Sequence, residues 1–392
     1  IRDRHDAGRA TAVLAAVLSA QITFAIVLRG IPGLLPEVRE EFDVSVAEVG
    51  FVVFAPGIGM LLTMLLWGTY ADRHGERWAL PVGMFGVSAA LVLAALADDY
   101  WVMIGALVLA GAAGGVSTTT SRAAAAWFPL ERRARAVSLV ITGLAIGGAI
   151  GAIGLAVLGE VGGVDLALYV TAGACAGSAL ALAVVLRPAP DAAAQRAARS
   201  GRYVPTDARL WAVIVATALV TFASLATMSY IPLYLHEERA FGTIVAGFVL
   251  AATMLATAAY RTALAPVADR TGDRLWPTII TCAAGAALLA GFAASLDGPD
   301  WLVVGAAILA PAVMFGSNGL SATVVAEMVP AEAKGRALAV RNSVVYGAGA
   351  VAPLAFGVLA SGIGYGAGIL MAAAVGAAGA VLFLVAFRAP PE

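Results

Sequence analysis

The chain of 392 residues is 61% hydrophobic and only 12% charged, with a formal net charge of -1. Average soluble domains are roughly 45–50% apolar and about 25% charged, so a water-soluble core could not bury this much apolar surface. The lipid bilayer is therefore the expected solvent, and the near-neutral charge gives no reason to expect a nucleic-acid partner.

Apolar runs long enough to cross a bilayer, about 20 residues each, follow one another along the chain. The first six predicted spans are 10–35, 47–70, 78–97, 101–128, 136–159 and 166–187. Six more follow a polar segment, at 209–235, 242–268, 276–296, 301–328, 336–361 and 366–387. The sequence thus predicts an all-α membrane protein, expected as a monomer. Its parts are a six-helix bundle over 1–187, a linker over 188–208 and a second six-helix bundle over 209–392.

Positively charged residues predict the orientation, because cytoplasmic loops carry an excess of Lys and Arg. With the N-terminus inside, 18 of the 24 Lys and Arg residues fall in cytoplasmic segments, and only Arg39 and Arg239 fall in outer loops. We therefore expect a multi-pass protein of the cytoplasmic (inner) membrane, with both termini and the linker in the cytoplasm.

The two halves repeat each other on the predicted cytoplasmic side. The segment 68–77 reads GTYADRHGER after the second span, and 265–274 reads APVADRTGDR after the eighth. Likewise, 129–136 reads PLERRARA and 330–337 reads PAEAKGRA. Matched elements at matched positions are typical of transporters built from two related bundles.

The GxxxDRxGxR element at 68–77 resembles the best-known motif of the major facilitator superfamily, and the resemblance covers the whole chain. It implies two six-helix bundles related by a pseudo-two-fold axis, a substrate site between them and transport by alternating access. We expect Gly68 to permit close helix approach and Asp72 to accept bonds at a helix end. The resemblance further implies that the repeated elements latch the cytoplasmic side through Gly68, Asp72, Arg73, Gly75, Arg135, Asp269, Arg270 and Arg336.

Four arginines lie inside predicted spans: Arg29, Arg122, Arg261 and Arg341. A charge near the bilayer centre costs roughly 2.5–3.5 kcal/mol on insertion scales, so such residues usually face a wet cavity or a partner. Carboxylates are almost confined to the loops and span ends. Only Glu327, near the cytoplasmic end of span ten, could extend its carboxylate into the membrane interior. It is the one candidate for a proton carrier, and a weak one. This excess of cations predicts an anionic substrate.

Three of these arginines resemble residues of organic-anion carriers. Arg29, followed two turns later by Pro36, and Arg122, five residues before Trp127, resemble the pattern of organophosphate antiporters and anion:cation symporters. Arg261, eight residues before Asp269, resembles the carboxylate-binding arginine of monocarboxylate and oxalate/formate transporters. The resemblance implies that Arg29 and Arg261 clamp one anion from the two halves.

The fourth arginine, Arg341, either joins the cavity or extends to the cytoplasmic headgroups. Neutral polar side chains complete the predicted substrate site, because amides and phenols can orient a carboxylate or hydroxyls. Interhelical hydrogen bonding is the alternative role for each of them. These residues are Gln21, Tyr230, Asn318 and Asn342.

No hydrolase, metalloprotease or phosphate-loop motif is present in the sequence, so an enzyme, a catalytic residue, a cofactor and a metal are not expected. The predicted function is secondary transport of a small organic anion, namely a carboxylate, a sugar acid or a phosphorylated metabolite. Proton symport is the default, with uniport and anion exchange open. One alternative is a proton-coupled exporter of drugs or hydrophobic metabolites, against which Gly148 replaces the proline of the drug-antiporter motif. The other is a sensor with a transporter-like fold.

Overall fold

The computed structural model describes residues 2–187, 207–271, 274–330 and 333–388. The predicted linker 188–208 lies almost entirely outside these residues, and so does the side chain of Asp269. Most α-helices of the described residues are membrane spans. Three short ones continue the span before them: Leu35–Phe42, Thr120–Ala125 and Asn318–Glu327. The α-helices are Arg2–Ala25, Leu35–Phe42, Val46–His74, Glu76–Ala95, Tyr100–Gly114, Thr120–Ala125, Leu130–Val185, Ala208–Glu237, Thr243–Thr271, Leu275–Ala294, Asp300–Gly316, Asn318–Glu327, Lys334–Ile363 and Tyr365–Arg388.

The described residues contain 11 helical segments that are long and apolar enough to cross a membrane. One of them, Arg132–Val185, has 54 residues, whereas about 20 suffice for one crossing. Its helical geometry is interrupted at Gly162 and at Gly163, where φ is 75°, a value that favours glycine. Two spans therefore meet at this glycine pair, so the described residues contain the twelve membrane helices that the hydropathy predicts.

By their contacts, the helices form two compact units. Unit 1 comprises Ile1–Phe42 and Ala55–Gly201, and unit 2 comprises Asp43–Phe54 and Arg202–Glu392. The first turns of the second span, within Asp43–Phe54, thus group with unit 2, although they precede most of unit 1 in sequence.

Unit 1 packs its first span tightly against its fifth. A Cβ atom added at Gly147 would lie 2.3 Å from the carbonyl oxygen of Ile22, and one added at Gly30 would lie 2.6 Å from Cα of Gly151. Because Cβ atoms essentially never come that close to backbone, glycine is required at both positions. The first span also changes from α-helix to a wider π turn at Ile26–Gly30 and then to a 3-10 turn at Ile31–Leu34. Arg29 lies in the π turn.

Unit 2 joins its first and last helices at one end. The Asp207 carboxylate accepts a bond from the backbone N–H of Arg209 and so caps the seventh span. Nε of Arg209 donates to the carbonyl oxygen of Ala386 at 2.8 Å. That carbonyl lies in the last turn of the twelfth span, where helix carbonyls have no partner within the helix.

Candidate functional site

In unit 1, Arg122 is held by two carboxylates. Its Nη1 donates to Oδ1 of Asp72 at 2.8 Å, and its Nε lies 2.7 Å from Oε1 of Glu76. The second contact is an ion pair whose N–H does not point along the line to the oxygen. The predicted assignment of Arg122 to the substrate site needs correction, because its charge is already matched at the ends of the second and third spans. Arg122 joins the cluster that the sequence assigned to gating.

The turn between the second and third spans explains why position 75 is a glycine, but it does not explain the glycine at position 68. Gly75 begins the third span with φ 85° and ψ 156°, a region that is essentially restricted to glycine. At Gly68, by contrast, no described atom lies within 4 Å of an added Cβ. The expectation that Gly68 permits close helix packing is therefore wrong in this conformation, whereas Gly75 allows Asp72 and Glu76 to face the same arginine.

Gln21 is occupied within unit 1. It is 9% exposed, and its Oε1 accepts a bond from Oγ1 of Thr120 at 2.7 Å. This bond joins the first span to the fourth, which is the interhelical role that the sequence analysis gave as the alternative. Arg29 is half-buried and already interacts with another group of the protein.

In unit 2, Arg341 is buried among neutral groups. Its side chain is 5% exposed, and its Nη2 donates to the Asn318 carbonyl at 2.8 Å and to Oγ of Ser321 at 2.9 Å. Its Nη1 donates to Oδ1 of Asn342 at 2.9 Å. Nε has no hydrogen-bond partner among the described residues. Arg341 therefore does not extend to the headgroups; it is a buried cation that neutral acceptors hold in place.

Asn318 is fixed by its neighbours on both sides of its amide. Its Oδ1 accepts from Arg341, and its Nδ2 donates to Oγ1 of Thr221 at 2.8 Å. The amide orientation follows from this pattern, since the arginine can only donate. Asn318 and Asn342 thus orient the guanidinium of Arg341, and Asn318 has little capacity left for a ligand.

Arg261 lies against the same segment of span ten. An added Cβ at Gly319 would lie 3.0 Å from Cδ and 3.2 Å from Cγ of Arg261, so the arginine stem packs on this glycine. Arg261 is half-buried and makes no hydrogen bond or ion pair with the part of unit 2 that the structure describes. The structure therefore brings Arg261 and Arg341 to adjacent residues, Gly319 and Asn318.

Tyr230 is a packing residue, contrary to the prediction that it binds substrate. It is 1% exposed, its ring stacks on Phe356 at a centroid distance of 4.7 Å, and its hydroxyl donates to the Val46 carbonyl at 3.1 Å. A Cβ at Gly50 or Gly357 would clash with that hydroxyl. This contact could not be predicted from the sequence, because it joins residues from distant parts of the chain.

Glu327 lies at the exposed end of span ten. Its Oε1 is 2.6 Å from Nη1 of Arg274, and its side chain is 53% exposed. This geometry argues against Glu327 as an embedded proton carrier and indicates a link between the ninth and tenth spans. Of the other predicted gating residues, Arg73, Arg135 and Arg270 are exposed. Arg336 is half-buried and interacts with another group of the protein.

Sequence reasoning missed three residues of these clusters. Glu76 directly follows the motif glycine Gly75, and its acidic character was the available signal for an arginine partner. Ser321 lies one helical turn after Asn318, which is the spacing that brings two side chains to one face. Thr221 gave no such signal. Among the described residues, no group of three His, Cys, Asp or Glu residues is placed to hold a metal ion.

Comparison with known families and proteins shows the family to which this fold belongs. The family model described as Major Facilitator Superfamily matches residues 17–353. An uncharacterised MFS-type transporter of Mycobacterium tuberculosis is 26% identical over 368 residues, which cover 93% of this chain and 82% of that protein.

Two further relatives match over shorter stretches. A putative tartrate transporter of Agrobacterium vitis is 29% identical over 42% of this chain and 37% of its own length. A D-galactonate transporter of Escherichia coli is 30% identical over 28% of this chain and 26% of its own length.

Two solved structures share the fold at low sequence identity. A bacterial homologue of the human lysosomal transporter Spinster, inward-facing and occupied, has a TM-score of 0.81 at 14% identity, covering 96% of this chain and 97% of that one. A D-xylose–proton symporter has a TM-score of 0.78 at 14% identity, covering 95% and 97%.

Proposed function

The chain belongs to the major facilitator superfamily of membrane transporters, and from this premise we propose that its substrate is a small organic anion. The proposed class comprises carboxylates, sugar acids and phosphorylated metabolites. All of these carry the planar or multi-oxygen anionic group that a guanidinium binds with two parallel hydrogen bonds.

The observation that carries this proposal is the uncompensated charge in unit 2. Arg341 is buried among amide, carbonyl and hydroxyl groups, and Arg261 packs on Gly319, next to Asn318 in sequence, without a carboxylate among the described residues. In the sequence, 208–236, 239–268, 274–296, 301–326 and 333–391 contain no Asp or Glu. Buried charges are normally paired, so an anion from outside the protein is the natural partner.

The two arginines have different proposed roles. Arg261 has a guanidinium with no protein partner among the described residues, so it is the proposed direct ligand. Arg341 has both terminal nitrogens occupied by Asn318, Ser321 and Asn342, so its proposed contribution is positive potential. Arg29 in unit 1 remains a predicted ligand.

Two relatives carry names that fit this class, the putative tartrate transporter and the D-galactonate transporter. Tartrate is a dicarboxylate, and galactonate is a sugar acid. Because their matches cover less than half of this chain, they support the anionic class and do not select one substrate.

The alternative, a proton-coupled exporter of drugs or hydrophobic metabolites, requires an acidic residue within the membrane. Glu327 was the candidate, and it is half-exposed and paired with Arg274. A lipophilic cation would also be repelled by Arg261 and Arg341. The geometry therefore favours the anion over the cationic drug.

A thermal-shift experiment on purified protein tests the proposal, because a ligand that binds the folded state raises stability by mass action. We expect tartrate, D-galactonate or glycerol 3-phosphate to raise the unfolding midpoint, and tetraphenylphosphonium to leave it unchanged. At 100 times the Kd, the stabilisation is about 2.7 kcal/mol. Stabilisation by tetraphenylphosphonium alone would favour the exporter.

A pair of variants makes the same experiment specific to the site. Arg261→Gln should abolish the shift that the anion causes. Arg388→Gln, at an exposed position in the last turn of span twelve, should retain it. We also propose the cytoplasmic membrane as the location, with both termini in the cytoplasm and the monomer as the working unit.

A further inference from the structure

The charge balance of unit 2 has a consequence for how transport is coupled. Counted over the sequence, two arginines and no acidic residues lie within the interior of its membrane spans. The nearest described carboxylate on span ten, Glu327, is half-exposed and already neutralised by Arg274. The interior therefore carries two positive charges whenever no substrate is bound.

These charges are tolerable while water reaches them and costly once water is excluded. Transfer of an ion from water into a low-dielectric interior is unfavourable unless an opposite charge accompanies it. Arg341 is 5% exposed, and its partners are dipoles that can orient it but cannot cancel its charge. A bound anion supplies the missing negative charge, so occlusion is easier for the loaded carrier than for the empty one.

Uniport and symport both require the carrier to return empty, whereas exchange requires only loaded crossings. Proton symport further needs a group that takes up and releases a proton during the cycle. Carboxylates, which usually perform this task, are absent from the interior of the last six spans, where both arginines lie. The proposed anion site therefore has no carboxylate of its own to carry the proton.

We propose that the protein is an obligate anion exchanger, in which the substrate itself is the counter-ion that Arg261 and Arg341 require for each crossing. This inference rests on the proposed anion specificity. One anion enters as another leaves, so exchange of identical anions moves no net charge and consumes no proton gradient.

Reconstituted liposomes test this directly, with radiolabelled tartrate and D-galactonate as the probes. Vesicles preloaded with the same unlabelled anion should take up label at least tenfold faster than empty vesicles. A protonophore or an imposed potassium diffusion potential should leave that rate unchanged. Equal uptake by empty vesicles, or uptake driven by an inward proton gradient, would overturn exchange and leave the anion specificity intact. Absence of uptake in both modes, together with absence of binding, would overturn both proposals.

A variant distinguishes the charge argument from other causes of slow empty return. Arg341→Met removes the buried charge and keeps an apolar stem of similar length, so the ratio of exchange to net uptake should fall toward one. Arg388→Gln is the matched control and should keep the wild-type ratio. An unchanged ratio in correctly folded Arg341→Met would contradict the electrostatic cause. The wild-type comparison decides the exchange mode even if that variant does not fold.

Discussion

Arg122 and Asp72 form a hydrogen-bonded ion pair of 2.8 Å between the fourth span and the end of the second, with Glu76 as the second carboxylate. The side chains of Arg122 and Asp72 are 24% and 44% exposed, so solvent screens the attraction and its contribution to stability is about 0–1 kcal/mol. Such a weak link can still bias a conformational equilibrium, which is what a latch requires.

Asp72→Asn should therefore reduce turnover and leave binding intact. We expect a loss on the order of tenfold in transport rate, which corresponds to about 1.4 kcal/mol, with substrate affinity changed less than about twofold. Arg122→Gln should behave in the same way. Transport assays and thermal shift on the same preparations measure the two quantities. A large loss of affinity in Arg122→Gln would return this residue to the substrate site.

Replacing Arg261 by Lys should be almost as damaging as replacing it by Ala. A carboxylate pairs with the planar guanidinium through two parallel bonds, and the compact ammonium of lysine cannot reproduce that geometry. Loss of one charge-assisted contact should cost about 2–3 kcal/mol, or roughly 30- to 150-fold in affinity.

Binding titration of the Arg261 variants measures this loss, with Arg388→Lys as the control for a charge-conserving change elsewhere. Near-normal affinity in Arg261→Lys would mean that the residue is structural.

Gly319→Ala should weaken binding without unfolding the protein. The new Cβ would lie 3.0 Å from Cδ of Arg261, so the flexible arginine stem must move by a few tenths of an ångström. We expect a loss of affinity of about three- to tenfold, or about 0.7–1.4 kcal/mol. Unfolding stability should hold or rise, because alanine favours helix over glycine by about 1 kcal/mol.

Gly305→Ala is the matched control for this change. It lies in the same span with no described atom within 4 Å of an added Cβ, so its affinity should match that of the wild type. Equal affinities for both variants would show that the position of the Arg261 stem does not matter.

The two glycines of the repeated motif should respond differently to alanine. Gly75→Ala forces a Cβ into a backbone conformation that costs about 1–3 kcal/mol, so the unfolding midpoint should fall. Gly68→Ala meets open space and should be neutral or slightly stabilising. Thermal unfolding of the two variants tests this contrast, and a larger loss in Gly68→Ala would mean that another conformation packs that position closely.

Labelling with a membrane-impermeant maleimide tests the proposed orientation. Both native cysteines, Cys175 and Cys282, are free and buried, so they should react slowly. Ala194→Cys, in the predicted cytoplasmic linker, should react only after the cells are permeabilised. Glu238→Cys, at an exposed position beyond the seventh span, should react in intact cells. The reverse pattern would invert the topology.

Hydropathy predicted the spans well because each crossing requires one long apolar run, and that requirement acts locally along the chain. It could not predict that residues 160–165 form a helical corner at Gly162–Gly163 in place of a loop. It also gave no sign that Asp43–Phe54 would group with unit 2, since that grouping depends on contacts such as the one between Tyr230 and Val46.

The site was harder to predict because a charged residue in a span has two physical solutions. Either a partner elsewhere in the chain compensates it, as for Arg122, or neutral dipoles hold it, as for Arg341. The sequence shows the charge and not the partner, and the partners of Arg122 lie 46 and 50 positions away. The one-residue resemblance at Arg122 therefore led to the wrong cluster. At Arg341 the sequence placed Asn342 next to it, but both were predicted as substrate ligands, and the bond between them was not predicted.

The contact between Arg209 and Ala386 brings the start of the seventh span and the end of the twelfth side by side. Chain ends that lie close together usually permit circular permutation, because a short connector can replace the missing link without disturbing the packing. A connector of a few residues could join Arg388 to Ala208, and new ends could then be opened in a turn such as the one near Pro299. The part of unit 2 from Ala208 to Arg388 is thus suited to circular permutation, provided that the segment Asp43–Phe54 is supplied as a separate chain.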